Sequence, residues 1–207
     1  MKLYYKPGAC SLASHIALNE ANANFTIEKV DTKAGRTETG ENYADIHPNG
    51  YVPALKLDSG DILTEGPAIL QFIADTNNAA NLAPANGTVE RARVNGFLNY
   101  VGSELHISFH PFFSGKELDA DARAAAEAGV AKRFNYLDEV LSDGRKFLTG
   151  DRFTVADAYL FVVANWTNFV KIDLNQWPNI AKFVARVAER PAVQKALAAE
   201  GLLQKAA

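Results

Sequence analysis

The pattern of hydrophobic and polar positions changes its period several times over the first 75 residues and then becomes uniformly helical. The early pattern predicts a strand over 2–5, a helix over about 10–22, a strand over 25–31, a hairpin over 55–64 and a helix over 65–74. The polar stretch that precedes the hairpin is predicted to be a loop with one helical turn. This order of elements indicates a small sheet with helices packed on it, an α/β unit.

The stretch 75–88, DTNNAANLAPANGT, is predicted to be a linker because it is rich in Asn, Ala, Pro and Gly. Beyond it, apolar residues recur at helical spacing in four stripes. The stripes are Val94, Leu98, Val101 and Leu105; Val130, Phe134, Leu137 and Leu141; Val155, Tyr159, Val162, Trp166 and Val170; and Ile180, Phe183, Val184 and Val187. Thr154 and Asp157 have the spacing of a capping box that starts the third helix. We therefore predict an α/β domain over 1–80 and an all-helical bundle over 88–207.

Composition and charge argue against several classes of function. The 207 residues are 48% hydrophobic and 22% charged with a net charge of −3, which is typical of a globular protein and gives no electrostatic case for nucleic acid or an anionic membrane. A single cysteine cannot form an intrachain disulfide. The N-terminus has no apolar core of signal-peptide length, and no apolar run is long enough for a membrane helix. These observations predict a cytoplasmic protein with no membrane or nucleic-acid partner.

The one cysteine, Cys10, follows a Pro-Gly turn at the predicted junction of a strand and a helix, in YYKPGACSLASHIAL. The N–H groups at a helix N-terminus favour an anion, so this position predicts a thiol pKa below the free value. Ser11 and Tyr5 would add a hydroxyl and a phenol nearby. The alternative is a small buried hydrophobic residue. Because Ala13 stands where a CxxC motif has its second thiol, only exchange with an external thiol remains open.

Two further segments carry candidate ligand contacts. The Val52-Pro53 bond precedes a strand; if cis, it would turn the backbone of Val52 toward a peptide ligand, and if trans, it merely starts the strand. Glu65 and Gly66 begin a predicted helix, whose free N–H groups can hold a carboxylate while Glu65 pairs with an ammonium. The alternative for Glu65 is to complement the helix dipole.

Histidines and aromatic residues also have two readings each. His106 and His110 have the i,i+4 spacing of zinc ligands, but no third ligand is visible, so no metal is predicted. His15 and His47 are predicted to be structural or surface residues. Candidates for an apolar substrate pocket are Phe109, Phe112, Phe113 and Trp166, with the interior of the bundle as the alternative, favoured for Trp166.

Together these segments resemble the glutathione S-transferases, specifically the bacterial Beta class. The segment KLYYKPGACSLASHIAL resembles the N-terminal signature of that class almost residue for residue, and HPNGYVPALKL, LTEGPAIL, SELH, FTVADAYL and ERPAVQKALAAEGL match its later blocks in order. The resemblance covers essentially the whole chain. It implies a thioredoxin-like N-terminal domain, an all-α helical bundle domain, a homodimer, and glutathione as co-substrate.

The resemblance also implies roles for individual residues. The cysteine matching Cys10 touches the glutathione sulfur and can form a mixed disulfide with it. The residue matching Val52 pairs its backbone with the cysteinyl part, ahead of a cis Pro53, and those matching Glu65 and Gly66 hold the γ-glutamyl end.

On the helical side, the residues matching Asn99 and Glu104 reach the site of the other subunit, and Ser103 is predicted to be a further glutathione contact. The match to His106 lies near the sulfur and faces the electrophile. Two positions depart from the class, which often has lysine where this chain has Gly35 and Ile107. Lys33 or Arg36 is the candidate replacement for the first.

The function predicted is conjugation of the glutathione thiol to small hydrophobic electrophiles, a detoxification reaction, with Cys10, His106, Ser11 and Tyr5 as catalytic candidates. One alternative is thiol–disulfide exchange or peroxide reduction through a Cys10 mixed disulfide. A third hypothesis is a non-catalytic protein that binds hydrophobic ligands, since fold alone does not define activity.

Overall fold

A computed structural model describes residues 1–203, which form two compact units. One unit contains Met1–Ala83 together with the segment from Ala188 onward, and the other is Pro84–Val187. The last helix thus groups with the α/β part of the chain, although it follows the bundle in sequence. The domain bounds 1–80 and 88–207 stay a prediction.

The first unit contains a mixed five-stranded sheet in the order β3-β2-β1-β4-β5. The strands are β1 (Lys2–Tyr5), β2 (Thr26–Asp31), β3 (Arg36–Thr37), β4 (Ala54–Lys56) and β5 (Ile62–Thr64). The central strand β1 runs parallel to β2 and antiparallel to β4. The sequence did not predict β3, because two residues are too few to show an alternating pattern.

Three helices pack in this unit: α1 (Ser11–Glu20), α2 (Gly66–Thr76) and α9 (Pro191–Ala199). Helix α1 contacts both of the others, which explains why its residues from Ser11 to Leu18 are all buried. The predicted helical turn in the loop is a 3-10 helix at Tyr43–Asp45, and another 3-10 helix, Asn78–Ala80, lies in the predicted linker. This arrangement of sheet and helices is the thioredoxin-like architecture.

The carboxylate of Glu200 ties the end of the described chain to its beginning. One oxygen accepts a hydrogen bond from the backbone N–H of Gly8 at 3.0 Å, and the other lies 2.9 Å from Nδ1 of His15. Both side chains are almost fully buried. Glu20 and Arg190 add a bidentate pair at 2.6 and 2.9 Å. His15 is therefore structural, as one of its two predicted readings has it.

The second unit is helical throughout. Its helices are α3 (Val89–Tyr100), α4 (His106–Ser108), α5 (His110–Phe113), α6 (Ala120–Val140), α7 (Val155–Val170) and α8 (Pro178–Ala188), with a π-helix at Val101–Leu105 joining α3 to α4 and a 3-10 helix at Leu174–Gln176. Every residue of the four predicted stripes is buried except the half-buried Val184. No helix in residues 1–203 is both long enough and apolar enough to cross a membrane.

The predicted capping box at the start of α7 is present. Asp157 accepts hydrogen bonds from the N–H and the hydroxyl of Thr154, both at 2.8 Å, through one oxygen. Its other oxygen accepts the N–H of Leu148 at 2.8 Å. The buried carboxylate therefore fixes the helix N-terminus and the loop before it.

Candidate functional site

Cys10 is the N-cap residue of α1, at the end of the loop that leaves β1. Gly8 in this loop has a φ of 72°, a conformation that glycine adopts without strain, and the N–H of Ala9 closes a turn on the carbonyl of Lys6 at 3.0 Å. Cys10 as a whole residue is half-buried, and its thiol donates a hydrogen bond to the carbonyl oxygen of Val52 at 3.1 Å. The only cysteine of the chain thus lies at a helix N-terminus, beside Val52.

The prediction that the helix N-terminus lowers the pKa of Cys10 is wrong for this structure. Burial raises the pKa of the thiol to about 11, and the backbone N–H groups of Cys10 and Ser11 lower it only in part. The carboxylate of Glu65 raises it further. The dipole effect is present, but loss of solvation outweighs it, so Cys10 is a protonated hydrogen-bond donor at neutral pH.

The peptide bond between Val52 and Pro53 is cis, the first of the two readings of the sequence. The side chain of Val52 packs against a buried cluster of Tyr4, Val30, Tyr43 and Ala54. Its carbonyl oxygen accepts the thiol of Cys10, while its N–H has no partner among residues 1–203. One backbone donor therefore remains available to a ligand at this position.

Glu65 and Gly66 form the start of α2. Glu65 has φ 68° and ψ 109°, a conformation that non-glycine residues rarely adopt, and its exposed carboxylate bonds to no residue that the structure describes. No side chain caps the helix. A Cβ added at Gly66 would meet only the Pro53 ring, at 3.9 and 4.0 Å. Strain at a residue with a free carboxylate is typical of ligand sites.

Ser11 and Tyr5, the other catalytic candidates of the first unit, both make contacts within that unit. The Ser11 hydroxyl is fully buried; it donates to the carbonyl of Lys6 at 3.3 Å and accepts the N–H of the same residue at 3.2 Å. The ring of Tyr5 contacts His15 with centroids 6.1 Å apart, and burial raises the pKa of its phenol. Ser11 therefore supports the loop before Cys10, and the catalytic roles of Ser11 and Tyr5 stay predictions.

In the second unit, Asn99, Ser103 and Glu104 lie together on the exposed side of α3 and the π-helix. The Ser103 hydroxyl donates to the carbonyl of Asn99 at 2.9 Å, and Glu104 pairs with Arg133 at 3.0 Å. The wider turn of the π-helix shifts the residues that follow it, a feature frequent at functional sites. The sequence pattern did not reveal this irregular turn.

His106 directly follows the π-helix. Its Nδ1 lies 2.7 Å from the Tyr159 hydroxyl, and its ring meets Trp166 edge-on with centroids 4.6 Å apart. Burial lowers the pKa of His106 to about 4. The imidazole is therefore neutral at physiological pH, so it interacts with the Tyr159 hydroxyl through a hydrogen bond and not through a positive charge.

The four predicted pocket aromatics separate into two groups. Phe109 and Trp166 are buried in the bundle, so the interior reading holds for both. Phe112 is half-buried and Phe113 is half exposed, with its ring 5.4 Å from that of Trp166. Exposed Ile107, at one of the two departures from the class, adds apolar surface near His106 in sequence.

At the other departure, Gly35 has a φ of 67° in the loop before β3. Arg36 donates to the carbonyl of Gly40 at 3.0 Å. The ammonium of exposed Lys33 has no partner in the described part of the chain, so it is the more available of the two candidate cations.

Elsewhere in the second unit, a cavity of about 500 Å³ contains none of the predicted site residues. It is lined by Arg93, Phe97, Asp143, Arg145, Leu148, Thr149 and Gly150. Among residues 1–203, no group of three or more His, Cys, Asp or Glu side chains is arranged to hold a metal ion.

The chain thus belongs to the class of two-domain folds in which a thioredoxin-like α/β unit, here with a cysteine at its first helix N-terminus, is joined in sequence to an all-helical unit. Residues 1–75 match the family described as the glutathione S-transferase N-terminal domain, and residues 101–191 match its C-terminal domain. The chain belongs to the glutathione S-transferase family.

Individual relatives agree with this assignment. Glutathione S-transferase GstA of Escherichia coli O157:H7 is 46% identical over 203 residues, which cover 98% of this chain and 100% of that protein. The Beta-class enzyme of Sphingomonas chungbukensis is 46% identical with a TM-score of 0.94, over 98% of this chain and 100% of that one. A sphingomonad glutathione S-transferase solved with glutathione is 47% identical with a TM-score of 0.92 over the same shares. The Beta-class resemblance is confirmed.

Proposed function

We propose that this protein is a glutathione transferase that binds glutathione on its first unit and conjugates its sulfur to hydrophobic electrophiles. The observation that carries the proposal is the N–H of Val52, which has no partner among residues 1–203, in the same residue whose carbonyl accepts the thiol of Cys10. A peptide with a thiol would pair with this N–H as an added strand does and bring its sulfur to Cys10. The uncapped start of α2 and the carboxylate of Glu65 suit the carboxylate and ammonium of a γ-glutamyl group.

The proposed chemistry uses the sulfur of glutathione as the nucleophile. The glutathione thiol loses its proton to solvent, and the S–H of Cys10 turns from the Val52 carbonyl to donate a hydrogen bond to the resulting thiolate. The thiolate then attacks an electrophilic carbon; a carbon–sulfur bond forms, and the leaving group departs with its bonding electrons. A donor aimed at a thiolate lowers the pKa of that thiol, which increases the reactive fraction at neutral pH.

Protonated Cys10 fits this reaction better than the redox alternative. Disulfide exchange by Cys10 needs its thiolate, which a pKa of about 11 makes scarce at neutral pH. Incubation with oxidised glutathione followed by intact mass measurement tests the point. The proposal expects little adduct on Cys10; rapid and complete adduct formation would favour the redox role.

The proposal also assigns a role to the second unit. Neutral His106 and half-exposed Phe113 would contact the electrophile, and the chain would act as a cytoplasmic homodimer in which Asn99 and Glu104 serve the site of the other subunit. The support is that Asn99 and Glu104 are exposed and lie on one face. The bundle would thus hold the electrophile and the dimer contact, and the sheet domain would hold glutathione.

Hybrid dimers test the role of Glu104. If it acts on the partner's site, a dimer of one Cys10→Ala subunit and one Glu104→Ala subunit contains one intact site. If it acts on its own subunit, both sites of the hybrid are defective. The proposal expects the hybrid to recover about half of the wild-type activity.

The direct test of the function combines two measurements. Calorimetric titration with glutathione measures binding, and turnover of 1-chloro-2,4-dinitrobenzene measures conjugation. We expect affinity in the micromolar to millimolar range and saturable turnover. Binding without turnover of any of a panel of aryl halides, epoxides and enals would favour the ligand-binding hypothesis, and absence of binding would overturn the proposal.

A further inference from the structure

We propose that Tyr43 is a positioning residue whose hydroxyl orients the N–H of Val52 toward glutathione. This inference rests on the proposed function, because it explains how the donor at Val52 is held in place. The roles implied for the site by the resemblance do not include Tyr43, and the residue lies in a loop whose sequence predicted only a single helical turn.

The hydroxyl of Tyr43 binds the peptide that precedes Val52. Its side chain is fully buried, and its hydroxyl donates to the carbonyl oxygen of Tyr51 at 2.8 Å. Burial raises the pKa of this phenol, so the hydroxyl keeps its proton throughout the physiological range. Tyr43 is therefore a permanent donor to this carbonyl.

The planar peptide between Tyr51 and Val52 links the Tyr43 hydrogen bond to the direction of the Val52 N–H. The carbonyl of Tyr51 and the N–H of Val52 belong to one planar peptide group, and the bond between these residues is trans. The two groups of a trans peptide point in opposite directions. By holding the carbonyl toward the buried cluster, Tyr43 turns the N–H of Val52 away from it.

Tyr43 is held more firmly by its neighbours than Tyr51, the residue whose carbonyl it binds. The Tyr51 side chain is 67% exposed, so it provides little anchoring of its own, although its ring meets that of His47 with centroids 6.1 Å apart. Tyr43, in contrast, packs between Tyr4 at 5.9 Å and His47 at 6.3 Å. A rigidly packed ring thus supports the hydroxyl, and the hydroxyl supports the peptide.

The support from Tyr43 extends to the N–H of Val52 that would bind the ligand. The side chain of Val52 packs on the same cluster that contains Tyr43. Both the side chain of Val52 and the peptide before it are therefore held by one rigid group of residues. The N–H that results has no partner among the described residues. In the proposed complex it donates to the cysteinyl carbonyl of glutathione.

The experiment is a binding cycle with two ligands. One is glutathione, and the other is its analogue in which an (E)-alkene replaces the cysteinyl–glycyl amide and removes the carbonyl acceptor. The variants at position 43 are Tyr43→Phe, Tyr43→4-fluorophenylalanine, which fills the volume of the hydroxyl without donating, and Tyr43→4-aminophenylalanine, which keeps a donor. Tyr4→Phe is the matched control, because Tyr4 lies in the same cluster and its hydroxyl makes no hydrogen bond with the described residues.

We expect the wild type and Tyr4→Phe to prefer glutathione over the alkene about five- to tenfold, the effect of one hydrogen bond. The two variants without a donor should bind glutathione about fivefold more weakly, lose most of this preference, and show a raised KM for glutathione with kcat within twofold. Tyr43→4-aminophenylalanine should restore the preference. A preference that is unchanged in the variants without a donor overturns the inference, even if affinity falls. A wild type that does not bind glutathione instead overturns the proposed function on which the inference rests.

Discussion

The thiol of Cys10 donates a hydrogen bond to the backbone carbonyl of Val52, 42 positions further along the chain, at 3.1 Å. This contact defines the state of the cysteine, because a carbonyl accepts only from a protonated thiol. The same enclosure that brings the two groups together raises the pKa of Cys10 to about 11. The cysteine of this protein is therefore better suited to donate a hydrogen bond to another sulfur than to attack a substrate.

Replacing Cys10 should change the pH dependence of conjugation more than the binding of glutathione. Cys10→Ala removes the donor, so the pKa of the bound glutathione thiol rises, and activity at pH 6.5 falls roughly 10- to 100-fold, the effect of one hydrogen bond to a charged group. Activity should recover as the pH rises. Cys10→Ser, which keeps a donor, is the control and should lie close to wild type. Equal pH profiles of kcat/KM for the alanine variant and wild type would contradict the assignment.

Glu65 should show a separation between stability and binding. Glu65→Gly relieves the strain of φ 68° and raises the free energy of unfolding by about 1 kcal/mol, while the loss of the carboxylate weakens glutathione binding. Glu65→Ala keeps the strain and loses the carboxylate, so it should bind as weakly without the gain in stability. Thermal unfolding and calorimetric titration measure the two effects. If the glycine variant is the less stable of the two, the strain argument fails.

Lys33 and Arg36 form a matched pair for testing the cation that replaces the missing loop lysine. Lys33→Ala should weaken glutathione binding about threefold at low ionic strength and less at high salt, because its ammonium is exposed and makes no hydrogen bond or ion pair with residues 1–203. Arg36→Ala should have a smaller effect, since Arg36 bonds to the carbonyl of Gly40. Titrations at two salt concentrations decide the matter, and a larger effect of Arg36→Ala would reverse the assignment.

Glu28 should make stability depend on acid pH. Burial opposes its ionisation, but hydrogen bonds from Lys2, Thr39 and Thr37 outweigh burial and lower its pKa to about 2. The pKa is thus lower in the folded state than in the unfolded state. The stabilisation is complete above pH 4.5, the ordinary pKa of a glutamate side chain, and is lost as the pH falls toward 2.

Urea unfolding of the wild type and Glu28→Gln from pH 6 to pH 3 measures this contribution. We expect a difference in free energy of about 2 kcal/mol at pH 6, discounted because Lys2 is partly exposed, and a smaller difference at pH 3. A difference that does not change with pH would mean that Glu28 is not ionised in the folded protein.

His106 should remain neutral well below the usual titration range of histidine. Burial lowers its pKa to about 4, so its ring resonances in an NMR titration should not move between pH 8 and pH 5.5. Tyr159→Phe removes the hydrogen bond at Nδ1 but not the burial, and should leave the midpoint low. A midpoint near 6.5 in the wild type would show that the ring is solvated.

The sequence predicted those parts of the fold that depend on local pattern. The helical stripes lie inside the bundle. Strands β1 and β2 and the two strands of the hairpin form where the pattern of apolar and polar residues predicts them. The sequence did not predict the two-residue strand β3 or the π-helix at Val101–Leu105, because both elements are too short to show a recognisable hydrophobic period. The resemblance supplied the cis bond before Pro53, which local sequence left open.

The candidate site was less accessible to sequence reasoning, for a physical reason. The pKa of Cys10 depends on burial by chain segments far away in sequence, so a local argument from the helix dipole had the wrong sign. The strain at Glu65 and the bond from Tyr43 to Tyr51 depend on backbone angles and side-chain directions, which composition does not encode.

The carboxylate of Glu200 has a consequence for when the loop before Cys10 becomes ordered. It accepts the N–H of Gly8 and contacts the ring of His15, which are separated from it by 192 and 185 positions in sequence. The loop that presents Cys10 therefore completes these two contacts only when α9 has packed against α1. Because the entropy of closing such long loops must be overcome first, we expect this loop to take its final form late in folding.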